Sequence, residues 1–144
     1  MDERRTVIQG GRRKALRPLP REAIDGAFAA GLAAYRRGDF FEAHELLEPA
    51  WMGTADPAER DLYQGLIKVA AGGVHAVRGN ATGLAKNLRG ARARLARVAP
   101  EGGHGLGIDV PALIGSIDAR LAALEGGPAP DRSEPPLPIV GGPT

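Results

Sequence analysis

Two short corners constrain this chain more than any other feature. Arg37-Gly38-Asp39 and Arg78-Gly79-Asn80 are offset by 41 residues (37 to 78) and share one logic. Glycine adopts the left-handed backbone that ends a helix at little cost. The Asp or Asn that follows can cap the start of a new helix. A chain that stops one helix and starts another within three residues must double back. Each corner therefore predicts an antiparallel helical hairpin.

The apolar spacing agrees. Ile24, Phe28, Leu32 and Tyr35 recur at helical period over residues 21–37. Asp56-Pro57-Ala58-Glu59 joins an Asp cap, a first-turn Pro and a third-position Glu, and opens a helix that reaches about Arg78. Its deep face is Leu62, Leu66, Val69, Ala70, Gly73 and Val77, while Gln64, Lys68, Ala71 and His75 form a separate stripe. Gly72-Gly73 lowers helix propensity, a cost that close approach by a neighbouring helix would offset. Leu84, Leu88, Ala91 and Leu95 face inward over residues 81–98, and Asp109 caps a last helix with the seam Leu113, Ile117, Leu121 and Leu124. The fold expected is all-α: a compact bundle of about five helices built from antiparallel helical hairpins, over residues 21–125. Residues 1–20 read as a flexible basic arm and residues 126–144 as a disordered Pro/Gly-rich tail. His104, in the Gly-rich loop 100–107, reads as solvated.

Composition narrows the function classes. A chain of 144 residues fits one domain, and 4% aromatic content means a core of Leu, Ala, Val and Ile. The net charge of +2 gives no global field towards nucleic acid or membrane. Acids dominate residues 39–61, and residues 81–98 carry Lys86, Arg89, Arg92, Arg94 and Arg97 with no acid. That second run lacks interleaved aromatics, so nucleic acid is disfavoured as a partner. The chain has no Cys, which removes disulfides, thiolate metal sites and Cys nucleophiles. Residues 1–20 have no signal-peptide core, and the longest apolar run, Gly26–Tyr35, is too short for a bilayer. No membrane association and a cytoplasmic location are expected.

The chemistry is concentrated in residues 38–51. On a helical wheel Phe40, Ala43, Leu47, Ala50 and Trp51 form the apolar face, with His44 set inside it. Glu48 lies one turn on and within reach of His44, whereas Glu42 and Glu45 point away. Pro49 should kink this helix. Three readings compete. In the first, His44 oriented by Glu48 faces Gln64 and His75 across a pocket walled by Trp51 or Tyr63, and binds a small ligand or an anion. No Ser, Thr or Cys lies in the stretch, so any hydrolysis there would be water-mediated. In the second, His44, Glu48 and His75 hold a divalent metal with hydrolytic activity. In the third, His44 and Glu48 are a buried pair that ties two helices together in a structural or interaction module. An interaction module predicts an exposed apolar patch away from His44. A homo-oligomer through the apolar side of the first or last helix is also open, as is enzymatic activity itself.

The pattern Tyr35-x-x-Gly38-Asp39-Phe40-Phe41-Glu42-Ala43-His44-Glu45-x-x-Glu48-x-x-Trp51, then Gln64-Gly65-Leu66-Ile67-x-x-Ala70-Ala71, His75 and Gly79-Asn80, resembles the uncharacterised bacterial and archaeal family called domain of unknown function 309. The resemblance covers about Arg21 to Val98. It implies a compact all-α bundle and carries no established activity with it. The positions that match the family's polar residues are His44, Glu45, Glu48, Gln64 and His75, with Trp51 as the aromatic. Pro49 departs from the acidic or polar residue usual at its place. The turn Tyr35-x-x-Gly38-Asp39-x-x-Glu42-Ala43 is also similar to a tetratricopeptide-repeat turn, but that repeat has a period of about 34.

Overall fold

The computed structural model describes residues 6–9, 12–15, 17–98, 106–125 and 136–142. His104 and residues 126–135 lie outside this set. Five helices make the body: α1 (Arg21–Arg36), α2 (Phe40–Gly53), α3 (Pro57–Val77), α4 (Ala81–Leu95) and α5 (Val110–Leu124). Each packs on the next in sequence, with α1 on α2, α2 on α3, α3 on α4 and α4 on α5. The all-α bundle of antiparallel hairpins expected from the sequence is the fold observed. Among the described residues, no helix is long and apolar enough to cross a membrane.

Both corners work as their residues dictate. Gly38 and Gly79 have φ of 86° and 71°, values open to Gly and strained for other residues. The two ends close alike: Asp39 N donates to Ala34 O, and Asn80 N donates to His75 O, both at 2.9 Å. The caps that follow differ. Asn80 accepts from Gly83 N at 3.0 Å, as Asp56 and Asp109 accept from Glu59 N and Ala112 N. Asp39 does not cap α2 with its side chain. Its carboxylate takes the Arg37 guanidinium at 3.2 Å instead, and Glu42 takes the same guanidinium at 3.6 Å. The side-chain cap expected from Asp39 is thus replaced by an Arg37 clamp. A charged partner next door outcompetes the backbone donors. Helix α2 runs on through Pro49 to Gly53.

The core follows the sequence stripes. Ile24, Phe28, Leu32, Leu47, Trp51, Leu62, Leu66, Val69, Leu84, Leu88, Leu95, Leu113 and Ile117 are buried. Two tilted ring contacts cross it, Phe28 with Tyr63 and Tyr35 with Phe40, with centroids 5.5 and 5.3 Å apart. Gly73 lets α2 approach α3: a Cβ there would fall 2.6 Å from Cγ of Phe40. Gly31 does the same beneath Leu47, where a Cβ would fall 2.5 Å from Cγ.

Both termini contribute more than composition suggested. Thr6–Gln9 (β1) and Arg12–Ala15 (β2) pair as an antiparallel hairpin. Arg17 N and Leu19 N then donate to Met52 O and Gly53 O, which fastens the chain to the end of α2. Residues 136–142 also depart from the disorder expected of residues 126–144. Leu137 and Ile139 are 7% and 8% exposed and join the core. Tyr35 donates its hydroxyl to Leu137 O at 2.8 Å, and Arg36 donates to Ile139 O and Gly141 O, both at 2.7 Å. Asp109 N donates to Val140 O at 2.9 Å, so the segment straps α1 to the start of α5. Leu137 and Ile139 are apolar anchors within a Pro-rich composition, and their burial outweighs the disorder that composition favours.

Candidate functional site

The sequence-predicted residues do not converge on one centre. His44 is half-buried on α2, with its side chain 30% exposed. Its Nδ1 lies 3.3 Å from Oε2 of Glu45, the neighbour expected to point away. Glu48, the partner expected at i+4, makes no hydrogen bond or ion pair with His44. The rim of the apolar face leaves the imidazole edge open to solvent, and the flexible Glu45 side chain folds back to reach it.

His75 and Gln64 belong to a different face. His75 sits in the last turn of α3, and its Nδ1 lies 3.1 Å from Nδ2 of Asn80. A Cβ on Gly83 would fall 2.5 Å from that same Nδ1, so the ring lies against the first turn of α4. His75 and Lys68 of this stripe therefore lie against α4. Lys68 marks its middle, with Cδ 3.0 Å from where a Cβ on Gly90 would stand. The wheel separated this stripe correctly from the core face. It could not say which neighbouring helix would cover it. Among the described residues, no three His, Asp or Glu side chains are grouped as metal ligands, so His44, Glu48 and His75 do not assemble the metal centre considered above.

Trp51 is buried, and the Arg60 guanidinium lies 5.0 Å from its ring centroid. Arg60 also donates to Trp51 O at 3.1 Å and Thr54 O at 3.3 Å, closing the carbonyl end of α2. Burial, with some repulsion from Arg94, lowers the Arg60 pKa against a smaller opposing pull from Asp61. The Trp51 indole N–H is the one enclosed side-chain polar atom with no partner among the described residues. A second polar knot joins α1 to α3. Arg21 donates to Oε1 of Glu59 at 2.7 and 3.0 Å, and Tyr63 donates its hydroxyl to the same oxygen at 2.9 Å.

The feature that sequence reasoning missed lies at the first corner. Gly38, Asp39, Phe40, Phe41, Glu42, Val74, Val77 and Arg78 line a groove of about 510 Å³ between the start of α2 and the end of α3. Two of its walls are large apolar side chains in water: Phe41 is 67% exposed and Val77 51% exposed. Val77 was expected on the deep face of its helix, yet it falls in the last turn, beyond the cover of α2. The signal for Phe41 was available. A Phe beside Phe40 projects about 100° away from it, off the apolar stripe.

These features define a small all-helical bundle with an apolar corner groove and with polar side chains divided between two faces. Residues 28–87 match the family model described as Domain of unknown function (DUF309), which bears out the resemblance over that stretch. The match contains both glycine corners and all of His44, Glu45, Glu48, Trp51, Gln64 and His75. No curated protein matches the chain.

Proposed function

We propose that this protein is a helical interaction module that seats a partner protein in the corner groove. The observation that carries the reading is the pair Phe41 and Val77, two large exposed apolar side chains that line one groove. Isolated exposed apolar residues need no explanation, but two that share a groove mark a docking surface. The rim sets the partner's chemistry. Asp39, Glu42 and Glu45 are exposed beside Phe41, Arg37 is the cation paired to the first two, and Arg78 also lines the groove, so the rim carries both signs. A partner segment that brings an apolar side chain flanked by charged residues of both signs fits this groove. The apolar walls would supply affinity and the mixed-charge rim would set orientation. A metal-dependent hydrolase draws no support from the geometry, because its ligands lie on separate faces.

The test compares wild type with Phe41→Ser and Val77→Ser, each checked for fold by circular dichroism. The partner is identified by co-purification, produced separately and titrated calorimetrically. Each substitution should weaken binding by about tenfold or more, as expected of a central apolar anchor. Unchanged affinity in both variants would refute the reading.

A further inference from the structure

The face between α3 and α4 carries a different unused feature. Along α3, Arg60, Gln64 and Lys68 are spaced four residues apart and so lie on one side of the helix. Arg94 and Arg97 face them from α4 and its end, each 3.7 Å from Oδ1 of Asp61. Among the described residues, Asp61 is the carboxylate paired with both Arg94 and Arg97, and it also acts on Arg60. Lys68 is half-buried, and it has neither a hydrogen bond nor an ion pair among the described residues. Its charged neighbours are cations, Arg94 and Lys86, and burial together with these lowers its pKa. Gly90 makes room for it, since a Cβ there would stand 3.5 Å from Nζ.

Gln64 sits at the centre of this set. It is 8% exposed and has no hydrogen-bond partner among the described residues. Its amide atoms are nonetheless not enclosed, because Trp51 Nε1 is the one enclosed unpartnered atom. The amide therefore meets solvent between the Arg60 and Lys68 side chains. A fold gains nothing from holding an unpartnered amide and an unpartnered ammonium beside further cations. With water as their present partner, both groups are available to an oxyanion, which would also relieve the repulsion among the cations. Four cations and one carboxylate leave a surplus that a doubly charged oxyanion would largely neutralise. The Gln64 amide, the Lys68 ammonium and the planar guanidinium groups of Arg94 and Arg97 offer donors from several directions, while Arg60, held by Trp51 O and Thr54 O, adds charge.

We infer that Gln64, Lys68 and Arg94, backed by Arg60 and Arg97, bind a phosphate group. The site is separate from the corner groove and uses none of its residues. The phosphate could be free or carried on a small phosphorylated molecule. Both present the same oxyanion.

The experiment titrates the full chain calorimetrically with inorganic phosphate and, separately, with a nucleoside monophosphate, against chloride at matched ionic strength. Variants are Lys68→Met, Arg94→Met and Gln64→Leu. Arg89→Met serves as control, because Arg89 lies in the separate groove with Leu121, Leu124 and Glu125. Wild type and Arg89→Met should bind alike, and the other three should bind about tenfold or more weakly. Tighter binding of the monophosphate assigns the site to phosphorylated molecules, and equal binding assigns it to free phosphate. Thermal melts without phosphate give an independent reading. Lys68→Met should melt no lower than wild type, because it removes a cation repelled by its neighbours. Equal phosphate binding by all variants, no binding by wild type, or a lower melting point of phosphate-free Lys68→Met would overturn the inference.

Discussion

Gly73→Ala tests the packing that builds the corner. In an open helical site this change stabilises by about 1 kcal/mol through propensity. At Gly73 the new Cβ would stand 2.6, 2.8 and 2.9 Å from Cγ, Cδ1 and Cδ2 of Phe40. Those atoms belong to a rigid ring already packed at a tilt against Tyr35, centroids 5.3 Å apart, so the ring cannot swing aside as a flexible chain end would. Overpacking costs about 1–3 kcal/mol, and three such contacts put this site near the upper end. The net expectation is destabilisation by about 1–2 kcal/mol, or a fall in Tm of roughly 3–8 °C. Equilibrium urea denaturation and thermal melts measure it. Gly26→Ala is the control, since nothing lies within 4 Å of its Cβ position, and it should gain stability. Phe40→Leu in the Gly73→Ala background should restore part of the loss, because two side chains in contact do not add. If Gly73→Ala stabilises as much as Gly26→Ala, Phe40 is not seated on α3 and the groove beside it is wrongly drawn.

Further expectations concern the tyrosines and the C-terminal strap. Burial raises both phenol pKa values above their ordinary value, with the Glu59 carboxylate reinforcing the rise at Tyr63. Above about pH 10 the unfolded phenols lose protons that the folded ones keep, so stability is full below that pH and falls as pH rises through it. Absorbance at 295 nm should show tyrosinate only as the protein unfolds, and Tyr63→Phe should flatten the alkaline slope. Early reversible ionisation of both phenols would contradict their burial. Removing residues 136–144 should cost about 1–3 kcal/mol, the burial of Leu137 and Ile139 less the ordering of their backbone. Tyr35→Phe should cost about 1 kcal/mol by losing the bond to Leu137 O. An unchanged Tm in both would show that the strap is not docked.

Helix existence and register were legible because caps and glycines encode them locally. Asp56, Asn80 and Asp109 cap as their sequence positions imply, and Gly73 accepts the close neighbour that its helix-breaking character suggested. What a sequence cannot encode locally is which element covers a given stripe. Gln64 and His75 were placed on the right face of α3, but α4 rather than His44 lies along it. Asp39 and His44 show the other limit. Both choose a charged neighbour in the chain, Arg37 or Glu45, over the partner that helix geometry offers. The pairing of residues 6–9 with 12–15 was readable: Thr6-Val7-Ile8-Gln9 precedes Gly10-Gly11 in the sequence, a turn signal that the basic charges around it obscured.

The central claim is that Phe41 and Val77 form a docking groove for another protein. A photoreactive amino acid placed at position 41 of the full chain, in its own cells, tests it most directly. Position 93, an exposed Ala on α4, is the comparison. The account predicts a dominant adduct from position 41, mapped to an apolar residue on one partner. That adduct should be absent from position 93 and lost in Val77→Ser. The same mixture of adducts at both positions, or a second copy of this chain as the sole adduct, would contradict it.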